Sequence, residues 1–372
     1  MKFFAYDSTM TSAKSAINTA KLALMSRQVV ADNKKYINAG NSSNPTTLTI
    51  DSDVLLVVGN SFFKTSGATL TASNLDAGDS FTLGNDYYIY ICDPTSGNDS
   101  VDTDEIYKIS LSSTYPDGYT ASNSRKIGGF HYGVVRNVDS YMRPINSSGT
   151  ALGSGWETNV YTGIVPNSVW TLLHRPKCAP EGMVYLNGDL WGDIYLSSDD
   201  GSLGLTSIYN ANPITGTEGF NWYGFVEKAR LVGKRLPSYS EICSAALGSP
   251  DGEDGNNTYT WSKTSNSARA KTGYVTYAVS SYNVRDLVGN VWKWCSDLLF
   301  YHTSSSWGWQ NIQSSLKSGG ILDGPCGDIY GTNTDCLHAL LFGGHWRYGA
   351  RDGRRAADLG AYPWYVHTTT GV

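Results

Sequence analysis

Apolar positions change their spacing along the chain. Over residues 12–37, Ala13, Ala16, Ile17, Ala20, Ala23 and Leu24 recur every three or four positions, which predicts an amphipathic helix stopped near Gly40. Such a stripe could drive self-association, attach the chain to a larger particle, or pack on the next domain. From residue 46 to about 135 the pattern shortens into β-branched and aromatic runs at 46–50, 54–58, 87–91, 106–111 and 127–131. Clusters such as Ser66-Gly67 and Gly84-Asn85-Asp86 punctuate them, so the stretch predicts a small antiparallel β-domain. Residues 137–157 are rich in Asn, Ser and Gly and predict a connection. The expected division is a helical segment over 1–45, a β-sandwich-like domain over 46–150 and a third domain over 151–372.

Two further helices are predicted in the third region. One spans 221–232 and runs into Gly233; the other starts after Pro237, where Ser238-Tyr239-Ser240-Glu241 forms a capping box, and ends at Gly248. Residues 251–257 are acidic and Gly/Asn-rich but lack the carboxylate register and closing glutamate of a calcium loop, so a solvated loop is expected.

Composition narrows the function classes. Charged residues are only 16% of the chain against 12% aromatic, with 40 glycines, a balance that favours strands and turns. The net charge of -5 and the absence of a Lys/Arg cluster argue against nucleic-acid binding. The start of the chain shows no secretory apolar core, and runs such as 54–58 and 87–91 are far shorter than the ~20 residues of a membrane span. Membrane insertion is not expected. Cys92, Cys178, Cys243, Cys295, Cys326 and Cys336 are scattered and are expected to be free thiols.

Three segments in order, 233–237 with its capped helix, 284–294 (VRDLVGNVWKW) and Phe342-Gly343-Gly344-His345-Trp346, with a weaker match at 180–191, resemble the formylglycine-generating-enzyme branch of the C-type lectin fold. From about residue 46 the chain is similar to the phage major tropism determinants, variable receptor-binding proteins diversified by retroelements. That resemblance also rests on 88–93, 125–132, Arg175-Pro176, 191–196 and 339–344. It implies the small antiparallel β-domain and a C-terminal C-type lectin fold domain that binds a ligand; with the N-terminal helix, which has no counterpart in that family, an α+β chain is expected. It further implies a homotrimer among phage tail components, at a virion tail tip, facing a bacterial cell-surface receptor of protein or glycan; a cellular surface protein is the alternative. The family ordinarily closes on a Gly-x-Arg strand, whereas Gly371-Val372 stand last here, so either the closing strand is short or the sequence stops before it.

Enzymes of the same fold make the competing expectation. The oxidising ones need a cysteine pair just beyond the paired glycines, and residues 345–367 contain none. Iron-dependent synthases need clustered histidines, but His131, His174, His302, His338, His345 and His367 are dispersed. Neither Glu-Pro-Asn nor Gln-Pro-Asp, the calcium-dependent sugar motifs, occurs. A non-enzyme without metal or cofactor is expected.

The resemblance maps the variable positions onto His345, Arg347, Gly349, Arg351, Asp358, Gly360, Ala361, Tyr362, Tyr365 and His367. Adenine-directed change of asparagine codons can generate each of these residues but cannot generate Trp346 or Trp364, which are therefore expected to be fixed packing or support residues. Asp286, Gly289, Asn290, Trp292, Trp294, Gly343 and Gly344 complete the expected scaffold. Strand alternation from the paired glycines puts His345, Arg347, Gly349 and Arg351 on one face and Trp346, Tyr348 and Ala350 on the other. Tyr, Arg, His and Asp mixed with Gly and Ala is a paratope-like composition.

Overall fold

The computed structural model describes residues 33–59, 61–93, 101–102, 106–199, 204–253, 255–301, 308–311, 328–331 and 336–372. The helix expected over 12–37 lies outside them except for its final residues. Those are bends, coil and the first strand, β1 (Ile37–Ala39), so the helix does not run to Ile37.

Two compact units interleave along the chain: the described residues within 1–82, 86–130 and 169–175 make the first, and those within 83–85, 131–168 and 176–372 the second. Residues 131–150, expected in the first domain, therefore lie with the second unit.

In the first unit, β2 (Leu48–Val58) and β3 (Ser61–Leu70) form a long antiparallel hairpin. The runs at 46–50 and 54–58 belong to a single strand, interrupted by a register shift around Asp53, whose φ of 63° marks the irregularity. β4 (Asp86–Cys92), short β5 (Val101–Asp102), β6 (Ile106–Ser110) and β7 (Ser124–Arg136) follow. Sheet order is β1-β2-β3-β5 in one sheet and β6-β4-β7 in the other. β7 enters the second unit at His131 and pairs there with β8 (Val160–Ile164), while β9 (Trp170–Thr171) pairs with Gly128 and Gly129 of β7. Leu48, Leu56, Phe63, Ile89, Ile91, Ile127 and Phe130 fill the unit's interior. Inside it the Tyr36 hydroxyl donates to the Ile127 carbonyl at 2.9 Å, so the buried phenol keeps a partner.

The second unit holds two small hairpins, β10 (Met183–Asn187) with β11 (Leu190–Asp193) and β12 (Ser197–Asp199) with β13 (Leu205–Ser207), and both expected helices. Asn221 caps α1 (Trp222–Leu231) by accepting from the Gly224 amide. Ser238 and Glu241 form the expected reciprocal box on α2 (Tyr239–Ala245). The last sheet is built from β14 (Trp292–Tyr301), β15 (Gly308–Asn311), β16 (Asp328–Gly331), β17 (Cys336–Phe342), β18 (Ala357–Asp358) and β19 (Thr370–Gly371), in the order β15-β16-β18-β17-β14-β19. β19 runs parallel to the start of β14.

Trp292, Trp294, Ala339 and Leu341 pack with Phe225 and Ala229 of α1, while Leu340 and Phe342 pack with Ile242 and Ala245 of α2. β17 therefore buries residues on both faces, and its end is held rigidly where the candidate site begins. Cys92, Cys178, Cys243 and Cys295 are free thiols; Cys326 lies outside the described residues. Among the described residues no helix is long and apolar enough to cross a membrane, and no His/Cys/Asp/Glu group could hold a metal ion.

Candidate functional site

β17 stops at Phe342 because Gly343 and Gly344 take φ of 88° and 84°, a left-handed pair that an extended strand cannot contain. The expected alternation over 345–351 is consequently absent. The chain turns at His345–Tyr348 and closes a 3-10 turn, Gly349–Arg351. His345 and Trp346 are both buried at 5% exposure, Arg347, Ala350 and Arg351 face solvent, and Gly349 is buried.

The 284–294 segment holds this turn. Asp286 and Asn290 sit at φ of 55° and 60°. Their side chains accept from the amides of Gly273 (2.7 Å) and Ala270 (2.9 Å), local bonds that offset the strained backbone. The Asn290 carbonyl accepts from the Trp346 amide at 3.1 Å, and the Gly343 carbonyl from Gly289 at 3.0 Å.

Asp352 anchors the far end of the turn. It is buried, its Oδ2 accepts from the Ser262 hydroxyl at 2.7 Å, and the same hydroxyl lies 3.0 Å from the Gly349 carbonyl. Nearby, the buried Lys293 ammonium donates to the Gly289 carbonyl at 2.6 Å. Burial pushes Lys293 down to about 7 and Asp352 well above the usual carboxylate range, so desolvation disfavours charge on both. Sequence reasoning passed over Asp352 and Ser262. Their partners lie 90 residues apart in the chain, and no local pattern marks such a pair.

His345 is the hub of the site. Its ring lies 4.1 Å from that of Tyr348 and 6.5 Å from that of Trp292. Burial first, then the nearby His367, Arg347 and Lys293, hold its imidazole down at about 3, and it stays neutral. It was expected to point outward as a variable contact; the structure instead packs it inward, because the turn after Gly344 carries it over Trp292. His367 accepts from the Thr369 amide, and its ring stacks on Tyr365 at 5.3 Å and 8°.

The second arm runs from β18 to Val366. The Ala361 carbonyl accepts from the Ala339 amide at 2.8 Å and the Pro363 carbonyl from Trp222 at 3.1 Å, which ties the arm to β17 and α1. Tyr362 and Trp364 stack almost parallel, 5.1 Å apart at 3°. Of the ten expected contact positions, Arg347, Arg351 and Tyr365 are exposed, and Asp358, Tyr362 and His367 are partly exposed. The other four, His345, Gly349, Gly360 and Ala361, are buried. Trp364 departs from its expected packing role in the opposite direction, since 55% of it is exposed. Its backbone is tethered on both sides, and among the described residues the Tyr362 ring stacks on one face of the indole.

Asp358 gives the surface a titratable group. Burial raises its carboxyl to about 6, opposed by the Gly360 amide it accepts from at 2.7 Å. A carboxyl whose folded pKa exceeds its unfolded value adds stability at low pH and loses it as pH rises through the folded pKa. The difference in stability between the wild type and Asp358→Asn should therefore fall from pH 4 to pH 7, by at most about 3 kcal/mol for a shift of this size. Urea unfolding of both proteins across that range measures it, and a flat difference would refute it.

These features define an α+β chain whose C-terminal part has the C-type lectin fold, with a loop surface set on a glycine-paired frame. The Major Tropism Determinant P3c variant matches with a TM-score of 0.66 at 22% identity, covering 94% of this chain and 85% of that one. The U1 variant gives 0.65 at 24% with the same coverage. Family models described as Mtd second domain and as sulfatase-modifying factor enzyme 1-like domain match residues 38–157 and 197–372. In sequence the chain is similar to the tail fiber receptor-binding protein of Bordetella phage BPP-1, 28% identical over 294 residues, which are 74% of this chain and 66% of the relative. A Chlamydia trachomatis serine/threonine-protein kinase, Pkn1, is 29% identical over 185 residues, 48% of this chain and 26% of the kinase. The chain thus spans just under two thirds of the phage relative and about a quarter of the kinase.

Proposed function

We propose that the chain is a receptor-binding protein of a phage tail, carried in the virion as a homotrimer, and that it recognises a bacterial surface molecule through residues 345–367. The observation that carries this reading is the exposure of Arg347, Arg351 and Tyr365, with Tyr362 and His367 beside them, on backbone that is hydrogen-bonded to buried elements at each end. Forked donors and flat aromatics on rigid backbone lose little entropy on binding, which suits a recognition surface. Similarity to the phage tail fiber protein supports the same reading. Three copies facing one cell would raise a modest single-site affinity by effective concentration.

Under this reading the ten positions are those open to exchange. Arg347, Arg351, Tyr362, Tyr365 and His367 supply contacts, the partly buried Asp358 lies at their margin, and the buried His345 and Gly349 shape the turn as Gly360 and Ala361 shape the second arm. An oxidase on the same fold is the competing class. No cysteine occurs over 345–367, where that chemistry would need its nucleophile, and burial raises the thiols of Cys178 and Cys295 elsewhere in the chain, which lowers their thiolate character.

The triple variant Arg347→Ala, Arg351→Ala, Tyr365→Ala is expected to keep the wild-type melting temperature and lose at least about tenfold in adsorption to host cells. Undiminished adsorption by this variant would exclude the surface as the recognition site.

A further inference from the structure

Trp364 is the most exposed large apolar side chain of the site at 55%, and Tyr365 and Val366 follow it at 42% and 47%. Three consecutive apolar side chains facing water are not explained by folding, because each would be better buried in the chain's own core. The backbone beneath them is not a loose loop: Pro363 is held by the Trp222 amide of α1, and the Tyr365 amide donates to the Tyr362 carbonyl at 2.9 Å. The indole face rests on Tyr362 at 3°, so one face is backed and the other is presented. Among the described residues no acceptor takes the indole N–H. This is a preorganised aromatic platform with an unused donor, the type of residue that dominates interface energetics when a partner desolvates it.

The charges of the site indicate what kind of partner fits. Arg347 and Arg351 are exposed, whereas the acids of the same stretch are withdrawn: Asp352 is buried, and Asp358 is partly buried with a raised pKa. His345 and His367 have lowered pKa values and are neutral at pH 7. The presented surface is therefore apolar and cationic. A neutral polysaccharide would use the aromatic faces but not the aliphatic Val366 or the guanidiniums together, while a protein surface can meet all of them.

Resting on the function proposed above, we propose that Trp364 is the anchoring contact of the binding surface and that its partner is a protein face with an apolar hollow bordered by carboxylates. Trp364 enters the hollow, its N–H reaches an acceptor on the wall, and the arginines meet the acidic rim.

Equilibrium binding of the full chain to host cells tests this, using wild type, Trp364→Ala, Trp364→Phe and the Arg347→Ala/Arg351→Ala pair at 50 and 300 mM NaCl. The cells are left untreated, treated with protease, or oxidised with periodate. Trp364→Ala should weaken binding at least about 30-fold at both salt concentrations with unchanged melting temperature. Trp364→Phe should recover most of the loss, and the arginine pair should show a defect that shrinks at high salt. Protease should abolish binding and periodate should spare it. If Trp364→Ala binds like wild type while the arginine pair is defective, the anchor is refuted and the recognition surface stands. If periodate and not protease removes binding, a glycan partner replaces the protein one. If wild type and all variants bind alike, or none binds, both this inference and the function it rests on fail.

Discussion

Gly344→Ala should destabilise the second unit by roughly 3–5 kcal/mol and abolish ligand binding, one of the two largest effects of any single substitution considered. A Cβ on Gly344 would fall 1.6 Å from Asp352 Oδ1 and 2.8 Å from its Cβ, and the φ of 84° is itself unfavourable for alanine. Asp352 has little room to yield. It is buried, bonded to Ser262, and its carbonyl accepts from the Gly252 amide at 2.8 Å; Gly252 is itself packed 2.0 Å, as measured from its own hypothetical Cβ, from the Gly349 carbonyl. Relieving the clash therefore moves the 345–352 turn away from 252–262, which carries Arg347 and Arg351 with it. Gly149→Ala is the control: φ is 76°, but no atom lies within 4 Å of the added methyl, so only the ~1 kcal/mol left-handed penalty applies. Urea unfolding followed by tryptophan fluorescence compares the two. Equal midpoints for Gly344→Ala and Gly149→Ala would show that the turn is not locked by this contact.

The parts of the structure that were readable from sequence are those that local chemistry dictates. Ser238 and Glu241 announced a helix start because both partners of the box lie within one turn, and α1 was legible from its run into Gly233, while its Asn221 cap emerges from the structure. The paired glycines were legible as scaffold, but the turn they make is set by Leu287, Ala356 and Asp352, which surround them from distant parts of the chain. Strand alternation extrapolated through Gly344 consequently put His345 on the outside, where the actual turn places it against Trp292 and Tyr348. Trp364 failed for the complementary reason. Residue type favours burial, but the tethers at Ala361 and Pro363 fix the arm with that side chain outward. In the first unit, β2 was read as two strands because Ser52 and Asp53 interrupt the apolar run, and only pairing with β3 across the register shift joins them.

Arg136→Met should cost about as much as the glycine change, roughly 3–5 kcal/mol, although the residue is remote in sequence from every position of the binding surface. The guanidinium is buried, and among the described residues no carboxylate is bonded to it. It donates instead to backbone carbonyls: Trp156 and Glu157 at 2.8 and 2.7 Å through Nη1, and Tyr277 and Val279 at 2.8 and 3.0 Å through Nη2. Burial, with Arg285 nearby, pulls its pKa down to about 9, so the cation persists at neutral pH only because the carbonyl dipoles replace its water. Arg285 does the same for Gly273, Val275 and Thr276, and between them the two guanidiniums take up the backbone of 273–279, which forms no regular ladder of its own. Methionine would fill most of the volume but take a donor from four carbonyls; those of Trp156 and Tyr277 keep the amides of Asn159 and Val279, while those of Glu157 and the buried Val279 lose the guanidinium bonds. Lysine would keep the charge and reach at most some of them, so Arg136→Lys should recover only part of the loss. Because Asp286 is bonded to the Gly273 amide and Asn290 to Ala270, loosening this segment reaches the frame under Gly343 and Trp346. Hydrogen exchange should consequently quicken at 273–279 and at Trp346 in Arg136→Lys while the first unit stays protected. Exchange confined to the neighbourhood of Arg136, with ligand binding intact, would mean that the irregular segment supports itself and that the frame does not depend on the buried cation.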